Sequence, residues 1–238
     1  MNMLSEIQVY MAKFDKDKPL KNPQVLPEWL IPIQVGAALT QEKVADVSDD
    51  IGDNISSKNA NYCELTALYW IWKNCLPEKD EGIDRYFGLF HYRRWLDIEN
   101  ADLRRIFDGN IDVVLPFPTM HEPDIRTHHA RYVKEADWAA MLQALGELAP
   151  EYYAAYEKIF SQEYLYNYNI LIAKEDVFRR YCEWLFPILA RVEELSLPKG
   201  SERADRYIGY LGENLLTLYF MYHREELNMV CTGRKMLT

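Results

Sequence analysis

The sequence predicts an α/β fold: a central mixed sheet flanked by helices, with a mostly helical C-terminal part. Three observations predict it. Apolar runs of strand length alternate with helix-periodic stretches across the first half, in the order strand, helix, strand, helix, strand. Pro, Gly and Asp cluster between these runs and mark turns. After residue 129 the apolar residues recur mainly at helical spacing. The 238 residues are 49% hydrophobic, enough for one large core, and no repeat or linker divides them, so 1–238 is read as one domain.

The elements follow in order. Residues 7–11 (IQVYM) form a short β-type run, and the charged, Pro-containing stretch 13–27 is a loop carried to one edge of the sheet. Residues 32–39 (PIQVGAAL) make a second short element. Residues 47–61 are polar, with Asp49, Asp50, Asp53 and Asn54 around Gly52, and predict a loop. Ser57 or Asn59 then caps a helix in which Leu65, Leu68, Tyr69 and Trp72 recur at helical spacing up to Asn74. Pro77 and a charged turn end it. Residues 86–90 (YFGLF) are a buried strand that breaks into charge at His91; 103–107 is a short helix and 111–115 another strand, stopped by Pro116 and Pro118. A His-rich loop over 120–129 leads into helical sequence through Tyr156. Residues 166–173 (YNYNILIA) are strand-like, 177–195 a long amphipathic helix and 207–223 the last helix.

Composition excludes some functions. The net charge of −10 argues against a nucleic-acid-binding surface, which is normally basic, while leaving room for a local basic cluster. Cys63, Cys75, Cys182 and Cys231 are scattered and form no CxxC pair, which predicts free thiols and no zinc site. No apolar run approaches the roughly 18 residues of a membrane span, and the start (MNMLSEIQVY) lacks the pattern of a signal peptide. The expectation is a soluble cytoplasmic protein. Its 17 tyrosines and 6 tryptophans suit a polar-edged ligand such as a sugar, and suit a core equally well.

The sharpest chemical feature is the charged cluster after residues 86–90. Ligands of open α/β sheets bind outside the carboxyl ends of strands. Arg93 and Arg94 lie just past such an end beside His91, where guanidinium groups grip a diphosphate through bidentate, charge-assisted bonds. The alternative is a surface pairing of the two arginines with Asp97 and Glu99.

The segment FGLFHYRRWL, with IGDNISSKNANYCELTALYWIWKN before it, resembles a family of bacterial glycosyltransferases long catalogued as a domain of unknown function, whose members sit in capsule, lipopolysaccharide and exopolysaccharide clusters. PIQVGAAL, YNYNILIAKEDVFRRYCEWLFPIL and RYIGYLGENLLTLYF resemble the family's other recurring segments in the same order. The resemblance implies a fold like that of GT-A glycosyltransferases. It further implies a nucleotide-sugar donor, commonly linked to uridine diphosphate (UDP), and hexosyl-type transfer to a saccharide or lipid-linked saccharide at the inner face of the cell membrane. By that analogy residues 1–118 are the nucleotide-binding half and 119–238 the acceptor-side half. The donor would be bordered by Tyr10, Lys13, Asp53, Lys58 and Asn59, while Asn169 either faces the sugar or satisfies buried backbone groups. One corner departs: relatives carry a His-Lys pair after the first strand, whereas this chain reads Ala12-Lys13-Phe14.

GT-A enzymes usually hold a divalent cation with Asp-x-Asp. The one match, Asp15-Lys16-Asp17, follows the first strand rather than a later one and is expected to be a solvated loop. Arg93 and Arg94 occupy the expected place and are expected to neutralise the leaving diphosphate in the metal's stead, with Mg²⁺ or Mn²⁺ at Asp97 or Asp53 kept open. Glu213, in a family-like segment and favoured by the dipole of a glycine-rich helix start, is the candidate base; His91 joins it as catalytic. Arg206 is a phosphate contact or the ion-pair partner of Glu213. His121, His128 and His129 suggest either a metal site or a loop closing over the donor, which makes His129 and Tyr132 acceptor-side candidates. The competing function is a non-catalytic, GT-A-like scaffold subunit.

Overall fold

A computed structural model of the chain describes residues 6–22, 25–77 and 85–238. Its centre is a nine-stranded mixed sheet. Strands β1 (Ile7–Lys13), β2 (Leu30–Gln34), β3 (Val47–Ser48) and β4 (Tyr86–His91) are parallel, in the spatial order β3-β2-β1-β4. A short β5 (Arg94–Leu96) returns from β4, and β6 (Val113–Pro116) lies further along the sheet. A separate two-stranded ribbon joins β7 (Thr119–Met120) to β8 (Tyr164–Leu165). β9 (Leu171–Lys174) inserts antiparallel between β4 and β6. β10 (Met229–Thr232) pairs with β6, and β11 (Arg234–Met236) pairs with β5. The second half of the chain thus completes the sheet as well as covering it.

Both faces of the sheet are covered, which is why β1 and β4 are apolar almost throughout rather than alternating. Ile7, Val9 and Met11 pack with Tyr86 and Phe90 against Trp29, Trp95 and helix α3 (Asn100–Asp108). Tyr10, Ala12, Phe87 and Leu89 face the larger core, built on α2 (Leu65–Asn74), α5 (Glu135–Leu148), α6 (Pro150–Phe160), α7 (Glu175–Leu195) and α8 (Tyr207–Tyr222). The one-turn α1 (Asn59–Tyr62) and α4 (Ile125–His129) complete the set. Among the described residues no helix is long and apolar enough to cross a membrane.

The α/β class and its flanked central sheet are as the sequence predicts; several details differ. The loop after β1 does not serve a sheet edge, because β1 is central. The helix expected from Ser57 or Asn59 is interrupted at Cys63 (φ 53°): Asn59 donates to the Cys63 carbonyl at 2.8 Å, and α2 restarts after Glu64 without a side-chain cap. The strand expected over 166–173 begins only at Leu171, since Tyr168 (φ 74°) and Asn169 (φ 50°) are left-handed and cannot join a ladder. The His-rich loop contains β7 and α4. The charged turn after Pro77 lies outside the described residues.

Candidate active site

The strand order places the site. From β1 the chain winds through β2 and β3 to one side, while β4 joins β1 on the other, so the connections diverge at the carboxyl ends of β1 and β4. A cavity of about 420 Å³ opens there, lined from the sheet by Ala12, which pairs with His91, and by Tyr92, Arg93 and Arg94. The opposite wall comes from the α1–α2 junction (Cys63, Glu64), the left-handed Tyr168 and the first two turns of α8 (Tyr210, Glu213), with Arg206 before them. His91 to Arg94 is a two-residue hairpin turn: His91 pairs with Arg94, and the Tyr92 N–H donates to the Ala12 carbonyl at 3.0 Å.

Three guanidinium groups face this cavity, and among the described residues none has an ion-pair partner. Arg94 lies 4.4 Å from the centre of the Tyr168 ring, with its Nε buried and unpaired. Arg93 sits 5.2 Å from the ring of Tyr92. Arg206, left-handed at φ 64°, donates through Nε to Cys63 Sγ at 3.2 Å. The alternative surface pairing of the two hairpin arginines is not formed, for Asp97 pairs with Lys235 at 2.8 Å and Glu99 caps α3. Nor do Arg206 and Glu213 form an ion pair.

Two carboxyl groups stand across from the arginines. Glu64 is buried, and its Oε1 accepts from Asn169 Nδ2 at 2.8 Å; the same amide donates to the Gly209 carbonyl. The Tyr168 backbone favours the ionised form of Glu213. Burial raises both, and Glu64 raises Glu213 further, to about 8, against the pull of Arg94 and Arg206. Close approach of α8 makes this pairing: a Cβ on Gly212 would stand 2.6 Å from Leu65 Cδ1. Glu213 is the seventh residue of α8, so the helix-start dipole expected for it does not apply. His91 is driven down to about 3 by burial and then by Arg94, Arg206 and Arg93; it is neutral, and its Nδ1 accepts from the Arg93 N–H at 3.4 Å.

Among the described residues five non-glycine residues have positive φ, and four of them are here: Cys63, Tyr168 and Arg206 line the cavity and Asn169 holds Glu64. Backbone strain gathered at one place is characteristic of functional sites.

Of the sequence-predicted residues, the cavity gathers His91, Arg93, Arg94, Asn59, Arg206 and Glu213, with Asn169 behind Glu64. Tyr132 reaches only the rim, its ring 5.4 Å from that of Tyr210. The others point elsewhere. Tyr10, on the same face as Ala12 but two residues further from the strand end, lies in the helical core and bonds Gln8 and Cys75. Lys13 donates to the Val44 carbonyl, Asp53 accepts from Tyr69, and Lys58 pairs with Glu193 at 2.6 Å. His129 is buried beside Trp138 and Asn214. Asp17, expected in a solvated loop, folds back to accept from the Phe14 N–H and lines the cavity, where burial raises it to about 6. No three His, Cys, Asp or Glu side chains are grouped to hold a metal among the described residues; His121 and His128 simply stack at 3.5 Å. Asp53 and Asp97 lie outside the cavity. Sequence reasoning missed Glu64, Cys63, Tyr168 and Tyr210. Glu64 had one signal, as the lone acid inside the apolar run 62–72.

No curated protein matches the chain. Among solved structures, the apo form of WbbM, a bifunctional glycosyltransferase, matches at 25% identity with a TM-score of 0.77, over 98% of this chain. The chain spans 45% of the length of that protein. Residues 10–225, nearly the whole cavity-bearing body, match one family throughout, and the chain belongs to it: the family described as a domain of unknown function, DUF4422.

Proposed function

We propose that the protein is a glycosyltransferase that moves a sugar, of hexosyl type, from a nucleotide-sugar donor linked to UDP onto a saccharide acceptor. One observation carries this: three guanidiniums without carboxylate partners face a raised carboxyl pair at the β1–β4 crevice. The likeness to WbbM supports it. Arg93, Arg94 and Arg206 hold the diphosphate and stabilise the charge it gains as the sugar–phosphate bond breaks. The acceptor hydroxyl oxygen forms the new bond to the anomeric carbon, and its proton passes to the ionised Glu213. Neutral His91 offers Nε2–H as a donor without adding charge.

In this reading residues 1–118 supply most of the diphosphate side and 119–238 the base and acceptor side. The acceptor is a growing, lipid-linked chain of a capsule, exopolysaccharide or lipopolysaccharide, met at the cytoplasmic face of the membrane. The fixed arginines stand in for Mg²⁺ or Mn²⁺. The test is slow donor hydrolysis over a panel of nucleotide sugars, with and without EDTA. Release of UDP from at least one donor in EDTA supports the reading. Turnover abolished by EDTA and restored by Mn²⁺ removes the metal-free mechanism; no turnover and no UDP binding leave a scaffold.

A further inference from the structure

The segment after residue 225 lies beyond the family match, yet it grips the arginine hairpin. β11 places Met236 opposite Arg94, and the Leu237 N–H donates to the Arg93 carbonyl at 2.9 Å. Arg234 on the same strand brings its guanidinium 5.2 Å from the centre of the Tyr168 ring, the ring that Arg94 approaches at 4.4 Å. Its Nη1 donates to Thr119 Oγ1 at 3.1 Å, which anchors the side chain. Arg234 does not line the cavity. Tyr168 is a junction: its ring carries Arg94, it lines the cavity beside Glu213, and its φ of 74° is one that a tyrosine adopts only when its surroundings impose it.

We propose that Arg234 is a positioning residue: it holds the Tyr168 ring, and Tyr168 sets Arg94 at the place a diphosphate occupies. The proposal rests on the reading of the cavity as a diphosphate site. A planar guanidinium stacks on an aromatic face in a way that an ammonium does not reproduce.

The experiment is calorimetric titration of the full chain with UDP and with inorganic pyrophosphate, with the unfolding midpoint of each variant measured in parallel. Arg234→Met is expected to weaken both ligands roughly tenfold. Arg234→Lys, which keeps the charge, is expected to recover less than half of that loss on a logarithmic scale. In an Arg94→Met background the Arg234 substitution is expected to have no further effect, a coupling that a general loss of stability does not produce. Should Arg234→Met not fold, Thr119→Val, which frees the Arg234 anchor while keeping its charge, is expected to weaken binding about threefold. Wild-type affinity in Arg234→Met, or in Thr119→Val where that variant takes its place, full rescue by lysine, or additive effects with Arg94→Met would each overturn the proposal. A wild-type chain that binds neither ligand instead refutes the diphosphate reading itself, and this inference with it.

Discussion

Arg203 and Arg94 each lie against a tyrosine ring, at 4.0 Å from Tyr207 and 4.4 Å from Tyr168, yet they live in opposite electrostatic settings. Arg203 is 6% exposed and bonds both oxygens of Asp137, itself 1% exposed, at 2.7 and 2.8 Å, with Asp205 as a further partner. Arg94 has the ring, a buried Nε without an acceptor, and a cavity in front of it. The same side chain thus serves the fold where its charge is matched within the chain. Where it is left unmatched beside a strand end, the proposed function gives it an anion from outside. The two regions differ in backbone as well, since the left-handed residues gather at the cavity.

The largest effect that can break this comparison is at Glu213. Glu213→Gln removes the proton acceptor and is expected to lower transfer about 10²–10⁴-fold while UDP still binds; near-normal turnover would remove Glu213 as the base. Next comes the matched region. Arg203→Met leaves Asp137 buried and unpaired, and is expected to cost about 3–5 kcal/mol in urea unfolding with UDP affinity at folded concentrations unchanged. Arg206→Met should do the reverse, weakening UDP binding by about 1.5–3 kcal/mol, the worth of a charged hydrogen bond, with the unfolding midpoint nearly constant. A large stability loss in Arg206→Met would place it with Arg203 instead.

The smallest effect is a shift in pH. In the proposed reaction Glu213 takes the proton only when ionised, so with a value of about 8 kcat/KM is expected to rise with pH up to that point. Glu64→Gln removes the neighbouring negative charge and is expected to move this limb to lower pH. Stability moves in the opposite direction. A carboxyl raised from 4.5 to about 8 holds its proton more tightly folded than unfolded, so stability declines as pH climbs across that window. Glu64→Gln is expected to flatten the decline, read from unfolding midpoints at several pH values. His91, lowered to about 3, adds no limb near neutrality.

The matched and unmatched regions were not equally legible in the sequence. β1, β4, α7 and α8 carry long periodic apolar patterns, and these alone place the β1–β4 crevice and the arginine hairpin. β10 and β11 are only four and three residues long, and exist because β6 and β5 offer open edges to them, which no local pattern reveals. Arg93, Arg94 and Glu213 announced themselves as charges beside apolar runs. Tyr168 did not, and Asn169 reads as part of a strand, because their left-handed backbone is imposed by packing against α8 in a stretch whose composition suits a strand. Lys58 and Asp53 misled for the opposite reason: a helix entry and an acidic loop suit a ligand, but Glu193 and Tyr69 satisfy them first.

The central claim is that the unmatched arginines hold a diphosphate. Calorimetric titration of UDP into the wild type and an Arg93→Met/Arg94→Met double variant tests it most directly. The expected result is binding by the wild type, a loss of about a hundredfold or more in the double variant, and unfolding midpoints within a few degrees of each other. Equal UDP affinity in the two proteins, or no binding by the wild type, would contradict it.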